Sequence, residues 1–276
     1  IHFAAYKSVS ESIIKPLDYY HNNITGLINL LSLCKSNDIN QLIFSSSATV
    51  YGNVNQPPLL ENSVVGQGLT NPYGQTKFIS ENILKDTCLS NSKLQVICLR
   101  YFNPVGAHPS GLIGEDPSGI PNNLMPFIVR TAIKNNLDSS LDDSYSELKI
   151  FGCNYSTPDK TAIRDFIHVV DLAQAHLCAL QKIQTPLAEY QTNSNNNNFK
   201  VYNIGTGKGY SVKQLVDSFT QINQVKLPYK YVQEREGDIP EVFCDASKAQ
   251  KELGWTALND IDDICRDAYN FAKQKY

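Results

Sequence analysis

The order of apolar runs predicts an α/β protein: a parallel sheet with helices on both faces. Three observations carry this. Gln41-Leu42-Ile43-Phe44 is a short apolar run that opens into Ser45-Ser46-Ser47. Val96 to Phe102 is a second such run, stopped by Asn103-Pro104. Both read as strands buried on two sides, the habit of parallel sheets. Helix-period stretches precede, separate and follow them, and this alternation is the mark of parallel strands joined by crossovers.

Each element follows in order. Ile1-His2-Phe3-Ala4-Ala5 looks like the end of a buried strand whose beginning is absent. Ile24, Leu27, Ile28, Leu31 and Cys34 recur at spacings of three and four, which predicts an amphipathic helix, while Pro16 breaks the chain a turn or more earlier. Asn71-Pro72 punctuates the chain before a helix carrying Phe78, Ile79, Ile83 and Leu84. Residues 106–119 form a loop rich in Gly and Pro, long enough to suggest function. A helix is expected over 122–135, short strands over 148–151 and 162–167, and a helix over 170–183 with Asp171 near its start. The four consecutive Asn at 195–198 belong to a polar stretch read as a solvated loop without function. Strands over 201–204 and 229–232 and helices over 212–224 and 261–273 complete the chain.

Composition narrows the function classes. The chain has 276 residues, and 24 Lys and Arg against 27 Asp and Glu leave a net charge of -3. That balance gives no electrostatic footprint for nucleic acid. No apolar run approaches the roughly 20 residues of a membrane helix. The seven Cys include no Cys-x-x-Cys pair and read as reduced thiols, hence a cytoplasmic setting. No His, Cys or Asp grouping has metal-ligand spacing.

Ligands of open parallel sheets sit beyond the carboxyl ends of the strands. The helix expected to start at such an end holds Tyr73-Gly74-Gln75-Thr76-Lys77, with Tyr and Lys on one helix face. A nearby ammonium favours the phenolate, and a phenol brought towards neutral pH can remove a proton from a sugar hydroxyl. The spacing alone is weak: about one such pair is expected by chance, and Tyr145/Lys149 and Tyr269/Lys273 share it. Only Tyr73/Lys77 follows a strand, a Ser triplet and a Pro-punctuated turn. Gly205-Thr206-Gly207-Lys208-Gly209 tempts as a phosphate loop, yet lacks the final Gly of G-x-G-x-x-G and the G-K-[ST] ending, and is read as a tight turn. Among the five Arg, Arg164 and Arg235 stand in loop-and-strand contexts suited either to a diphosphate or to a surface ion pair, the commoner fate of a lone Arg. His168, at a strand-to-helix junction, is read as structural.

Five strings taken together decide between these readings: SSSATVYG (45–52), NPYGQTK (71–77), LRYFNPVGAHPSGLIGEDPSGIPNNLMP (99–126), IRDFIHVVDLA (163–173) and REGD (235–238). In order and spacing they resemble the UDP-glucose 4-epimerases, extended short-chain dehydrogenases. The resemblance implies a Rossmann-like doubly wound parallel sheet, its first strands missing, with a smaller C-terminal substrate domain. Residues 1–103 would be the remainder of the NAD-binding domain. Residues 104–276 would mainly bind the UDP-sugar, with 163–205 returning to the sheet. Tyr73 would be base and later acid at the sugar 4-hydroxyl, Ser47 would hydrogen-bond that hydroxyl, and Lys77 would hold the nicotinamide ribose and depress the Tyr73 pKa. Phe3, Ala4, Ala5, Lys7, Asn22 and Phe102 match positions lining NAD. Asn103, Asn123, Phe151, Arg164, Arg235 and Asp238 match positions holding the UDP-sugar. UDP-glucose and UDP-galactose would be the substrates, and a homodimer would form through helices around 18–36 and 74–90.

Two departures bear on activity. The family opens with a strand and a G-x-x-G-x-x-G turn for the NAD pyrophosphate, and the sequence contains none, so the chain is expected to bind NAD poorly and to expose a strand edge. Val242 matches a position that gates the N-acetyl group. Being smaller than Tyr, it predicts tolerance for UDP-N-acetylglucosamine. The competing readings are a dehydratase or decarboxylase of the same superfamily, disfavoured because Ala48 and no acidic pair follows Ser47, and an inactive UDP-sugar-binding remnant.

Overall fold

The computed structural model describes every residue except 120, 122, 138–140, 186–197 and 235–237. Arg235 and most of the Asn-rich stretch thus lie outside the described residues. The chain forms two compact units. The first comprises residues 1–101, 174–204 and 245–256, and the second 102–173, 205–244 and 257–276.

The first unit is built on a parallel sheet of β1 (Gln41–Ser47), β2 (Gln95–Tyr101) and β7 (Phe199–Ile204), in the order β1-β2-β7. Ser47 is in register with Tyr101, and Tyr101 with Ile204, so all three strands end at one level. Alternation along the strands sorts their side chains. Leu42, Phe44, Val96 and Cys98 join Leu27 of α3 (Gly26–Ser36) and Leu84 and Cys88 of α4 (Pro72–Ser90) in one core. At about 25 cal/mol per Å² of apolar surface, this burial is the main force holding α3 and α4 on the sheet.

Two expectations are corrected here. Residues 1–5 do not form a buried strand end. Only His2 bridges to β1, through its amide to Ile43 O (2.9 Å) and its carbonyl from Ser45 N (3.1 Å). Phe3 is 58% exposed. The chain leaves the sheet path because the Asn23 side chain takes both backbone groups of Tyr6, at 2.8 and 3.1 Å. The α3 stripe is also narrower than its periodicity suggests. Leu27, Leu30 and Leu31 pack into the core with the sheet and Cys34 is buried, whereas Ile28 sits on the exposed flank. Short helices α1 (Val9–Ile14) and α2 (Pro16–Tyr20) precede α3. Pro16 opens α2 at a position where its missing N–H costs nothing. A π turn, His21–Thr25, joins α2 to α3. Such turns concentrate at functional sites, and this one carries Asn23 into the interior.

The second unit holds three small sheets: β10 (Glu241–Val242), β5 (Ile163–Arg164) and β8 (Tyr210–Ser211); β3 (Asn103–Val105) with β6 (Phe166–His168); and β4 (Leu148–Phe151) with β9 (Tyr229–Val232). Its core joins Ile128, Ala132 and Ile133 of α5 (Leu124–Asn136), Leu215 and Phe219 of α7 (Val212–Asn223) and Ile264, Ala268 and Ala272 of α9 (Ile261–Lys275). Helix α6 (Val169–Ile183) and α8 (Ser247–Leu253) complete the order. Ser211 and Asp260 cap α7 and α9 by reciprocal side-chain bonds. All seven cysteines are free thiols. Among the described residues no helix is long and apolar enough to cross a membrane.

Candidate active site

The carboxyl end of β1 and the first turns of α4 bring Ser47, Tyr73 and Lys77 together within the first unit. Asn71 caps α4 by accepting from Gly74 N at 2.8 Å, and Pro72 occupies the first turn. A Cβ on Gly74 would come within 3.3 Å of Thr49 O, so the glycine lets α4 approach the loop after β1 closely. Tyr73 and Lys77 then lie one turn apart. The Lys77 ammonium is buried, donates to Ser45 O at 2.6 Å, and lies 4.9 Å from the Phe44 ring centre and 5.9 Å from that of Tyr73. Ser47 Oγ accepts from Thr49 N (3.2 Å) and Thr49 Oγ1 (3.0 Å) and hydrogen-bonds the Tyr73 phenol.

The electrostatics differ from the expected Tyr–Lys couple. Burial pushes the Tyr73 phenol above its ordinary value, and the opposing influence is the Ser47 hydrogen bond rather than Lys77. Burial lowers the Lys77 ammonium to about 8, opposed by Cys98 and Glu81. The ammonium faces a backbone carbonyl, not the phenol oxygen. Lys77 supplies a positive charge near the phenol ring, 5.9 Å from its centre. The spacing was never distinctive, since Lys273 lies 5.0 Å over the Tyr269 ring on α9. What sets Tyr73 apart is its place at the strand ends.

Asn23 was not anticipated. Its amide also donates to Thr76 Oγ1 (3.0 Å), and that hydroxyl donates to Tyr73 O (2.8 Å), so one buried side chain ties the π turn, residue 6 and the first turn of α4. Asn22, Asn23 and Thr76 carry no local spacing signal, because fifty-three residues separate the two ends of the bond. The positions matched to the dinucleotide are placed as follows. Phe3, Ala4 and Lys7 are exposed, Ala5 and Asn22 half-buried, and Phe102, in the second unit, buried. Phe3 packs 4.8 Å from His176, whose Nε2 meets Tyr101 Oη at 2.5 Å. Lys77 uses one of its three donors on Ser45 O. A buried ammonium with donors to spare, beside an exposed aromatic segment, fits the ribose and ring of a nicotinamide nucleotide.

The residues matched to the UDP-sugar lie in the second unit. Arg164 and Asp238 form an ion pair, and Tyr155 Oη donates to the same carboxylate at 3.3 Å. Burial and Asp238 push the Tyr155 phenol up to about 12. Arg164 also reaches Ile163 O and Pro240 O. Asn123 is exposed and donates to Glu115 at 2.7 Å. Asn103 starts β3 with its amide on Asp165 O (3.0 Å), and Phe151 ends β4, half-buried. Val242 is half-buried, opposite Arg164 in the β10–β5 ladder. The structure thus joins Arg164 to Asp238, while Asn123 bonds elsewhere.

The Gly205–Gly209 loop is a turn gathered by Asp165, another residue not anticipated. This fully buried carboxylate accepts from Thr206 N (2.7 Å), Thr206 Oγ1 (2.7 Å), Gly207 N (3.0 Å) and Cys244 N (3.3 Å). The two loop amides that a phosphate would use are occupied by Asp165. A Cβ on Gly205 would lie 2.6 Å from that carboxylate, which explains the glycine.

Comparison with known proteins agrees with this arrangement. Residues 1–205 match the NAD dependent epimerase/dehydratase family, and residues 152–268 match GDP-mannose 4,6 dehydratase. A UDP-glucose 4-epimerase of Dictyostelium discoideum is 48% identical over 271 residues, covering 98% of this chain and 73% of its own length. The structure of UDP-glucose 4-epimerase from Bifidobacterium longum, solved with NAD+ and UDP, superposes with a TM-score of 0.87 at 42% identity, over 99% of this chain and 75% of that one. The UDP-Glc/GlcNAc 4-epimerase of Campylobacter jejuni superposes with a TM-score of 0.76 at 33% identity, over 99% and 76%. With strands that end together at Ser47 and Tyr101, and Tyr73 and Lys77 on the adjoining helix, the chain belongs to the UDP-glucose 4-epimerases of the NAD-dependent epimerase/dehydratase family.

Proposed function

We propose that this chain interconverts UDP-glucose and UDP-galactose through a 4-keto sugar. The observation that carries the reading is the convergence of Ser47, Tyr73 and Lys77 at the end of β1. Tyr73 takes the proton of the sugar 4-hydroxyl and returns it to the same oxygen after the ketose has turned. Ser47 holds that hydroxyl in line with the phenol. Lys77 binds the nicotinamide ribose through the donors that Ser45 O leaves over. NAD, when bound, supplies the acceptor for the hydrogen leaving C4 and a cationic ring that favours the phenolate. Asn103, Asn123, Phe151, Arg164, Arg235 and Asp238 hold the UDP moiety, so the sugar alone moves. Phe3, Ala4, Ala5, Lys7, Asn22 and Phe102 line the dinucleotide.

Coupled assay of UDP-galactose conversion by the NAD-loaded protein tests the reading. Turnover lost on Tyr73→Phe supports it, and a wild-type protein that binds UDP-galactose without interconverting it overturns it in favour of a binding remnant. Val242, smaller than a Tyr, leaves room for an N-acetyl group, and UDP-N-acetylglucosamine should turn over as well. A rate ratio above about 10³ against the N-acetyl sugar, a discrimination beyond what a hydrophobic pocket ordinarily achieves, would sink that part. A homodimer is the third element. Leu17, Ile28, Leu33 and Leu89 leave apolar surface exposed on α2, α3 and α4, and light scattering of a monomer at micromolar concentration would refute it.

A further inference from the structure

We propose that Glu81, held by Arg100 and Ser46, is a positioning residue that fixes Tyr73 and Lys77 against the end of β1 and keeps the Lys77 ammonium charged. The inference rests on the reading of Tyr73 and Lys77 as catalytic.

The geometry starts with helix spacing. Tyr73, Lys77 and Glu81 are four apart on α4, so all three share one face, turned to the sheet. Glu81 is buried, as is its partner Arg100 on β2. The carboxylate accepts two parallel bonds from the guanidinium, Nε at 3.0 Å and Nη2 at 2.6 Å, and a third from Ser46 Oγ at 2.5 Å. This is the fork geometry that fixes direction as well as distance. Ser46 lies between the two β1 residues that serve the site: Ser45, whose carbonyl takes Lys77, and Ser47, which bonds Tyr73. Glu81 thus clamps α4 to β1 at the residue flanked by both contacts.

The clamp is itself held. Arg100 Nη1 donates to Tyr51 Oη at 2.9 Å and to Glu61 O, and Tyr51 Oη donates to Asn203 Oδ1 at 2.6 Å. The Asn203 backbone N–H donates to Glu61 Oε1 at 2.9 Å, and its side-chain amide donates to Leu59 O at 2.9 Å. Every member belongs to the first unit. Nothing in the proposed chemistry needs a buried Glu–Arg pair, and apolar side chains of equal volume would hold a helix to a sheet equally well. The pair does what apolar packing cannot: it sets the register of α4 on β1 by directional bonds, and it places a negative charge one turn from Lys77.

That charge matters because the Lys77 ammonium is shut away from water. The charged and titratable groups that face it are Glu81 and Tyr73 from its own helix, Cys98 from β2 and His2 from the N-terminal segment, with Ser45 O from β1 and the Phe44 ring completing the shell. Burial depresses its pKa, and Glu81 opposes the depression. Without Glu81, the ammonium would lose its proton at lower pH.

Two variants test this in the NAD-loaded protein. Glu81→Gln keeps the size and part of the hydrogen bonding but removes the charge. The triple variant Glu81→Met, Arg100→Met, Ser46→Ala removes the pair and the hydroxyl it would orphan, and is the one expected to keep its folding midpoint. The readouts are kcat and KM for UDP-galactose, the thermal midpoint, and the Lys77 titration followed by 15N NMR of the side-chain nitrogen. The expected result for the triple variant is a kcat lower by about tenfold or more with KM within about twofold, the pattern of a lost transition-state interaction. A Lys77 titration midpoint moved to lower pH is expected in Glu81→Gln, which removes the negative charge and leaves the Arg100 cation in place. Wild-type kcat in a folded triple variant, or an unmoved Lys77 titration in Glu81→Gln, would overturn the proposal. So would a triple variant that cannot fold, since the network would then serve stability alone. A wild-type protein without epimerase activity would instead defeat the reading of the reaction, and the Lys77 titration would still judge the electrostatic part of this one.

Discussion

The proposed catalytic cluster of the first unit and the nucleotide-matched cluster of the second are built on opposite plans. Around Tyr73 and Lys77 several buried polar groups are bound by partners distant in sequence: Asn23 to Thr76, Glu81 to Arg100, Tyr51 to Asn203. In the second unit the matched groups are partly buried or exposed: Arg164 pairs with Asp238, and, apart from that pair, Asn123 donates to Glu115. The difference teaches what each cluster can tolerate. Proton transfer loses rate steeply with small displacements, so its groups are locked by directional bonds in a low-dielectric setting. Groups that grasp an anion must exchange one partner for another, and an accessible ion pair costs little to open.

The two clusters should respond differently to substitution, most of all at Tyr73. Tyr73→Phe should lower kcat by about 10²–10⁴, the ordinary worth of a general base, with the UDP-sugar KM nearly unchanged. Arg164→Met should do the reverse, raising KM and sparing kcat. If both variants acted on kcat alone, the division of labour would be wrong. Next come the ion pairs. Arg100→Met strands the buried Glu81 and should cost about 3–5 kcal/mol in urea unfolding, whereas Arg164→Met should cost about 1 kcal/mol or less. Equal losses would erase the contrast.

Asp165 tests whether the second unit has a locked centre of its own. Asp165→Asn replaces a carboxylate that accepts from three backbone amides. It should destabilise by about 1–3 kcal/mol while leaving KM for the UDP-sugar near wild type. A large rise in KM would instead make the Gly205–Gly209 turn part of the binding site.

The pH dependence comes next in size. Lys77 holds its proton in the unfolded chain up to the ordinary lysine value of 10.5, but in the folded protein only up to about 8. Between those values the unfolded state binds more protons, so stability should rise with pH from about 8 upward. Above the ordinary tyrosine value of about 10 the trend reverses, because burial raises Tyr19, Tyr51 and Tyr73 in the folded state and the unfolded phenols ionise first. Urea unfolding of wild type and Lys77→Met across pH 7–10 isolates the contribution, and parallel curves would show that Lys77 is not buried as described. Smallest of all, Lys213→Ala, which breaks an exposed i,i+4 pair with Asp217, should cost only about 0.3–0.5 kcal/mol.

By itself the sequence determined the layout that depends on neighbours in the chain. The Ser triplet at the end of an apolar run, the Asn71-Pro72 start of α4 and the Tyr73/Lys77 spacing were legible because capping, strand burial and helix faces are local rules. Composite strings then pointed to the family, and Leu148–Phe151 and Tyr229–Val232 were read to the residue. Only the tertiary structure decided how the charges behave. Whether Lys77 faces the Tyr73 phenol or Ser45 O depends on where β1 lies under α4. Thr76, Arg100 and Cys244, which bond Asn23, Glu81 and Asp165, are 53, 19 and 79 residues away from them. No periodicity encodes those pairings, because burial and long-range hydrogen bonds come into being only when the chain has closed on itself.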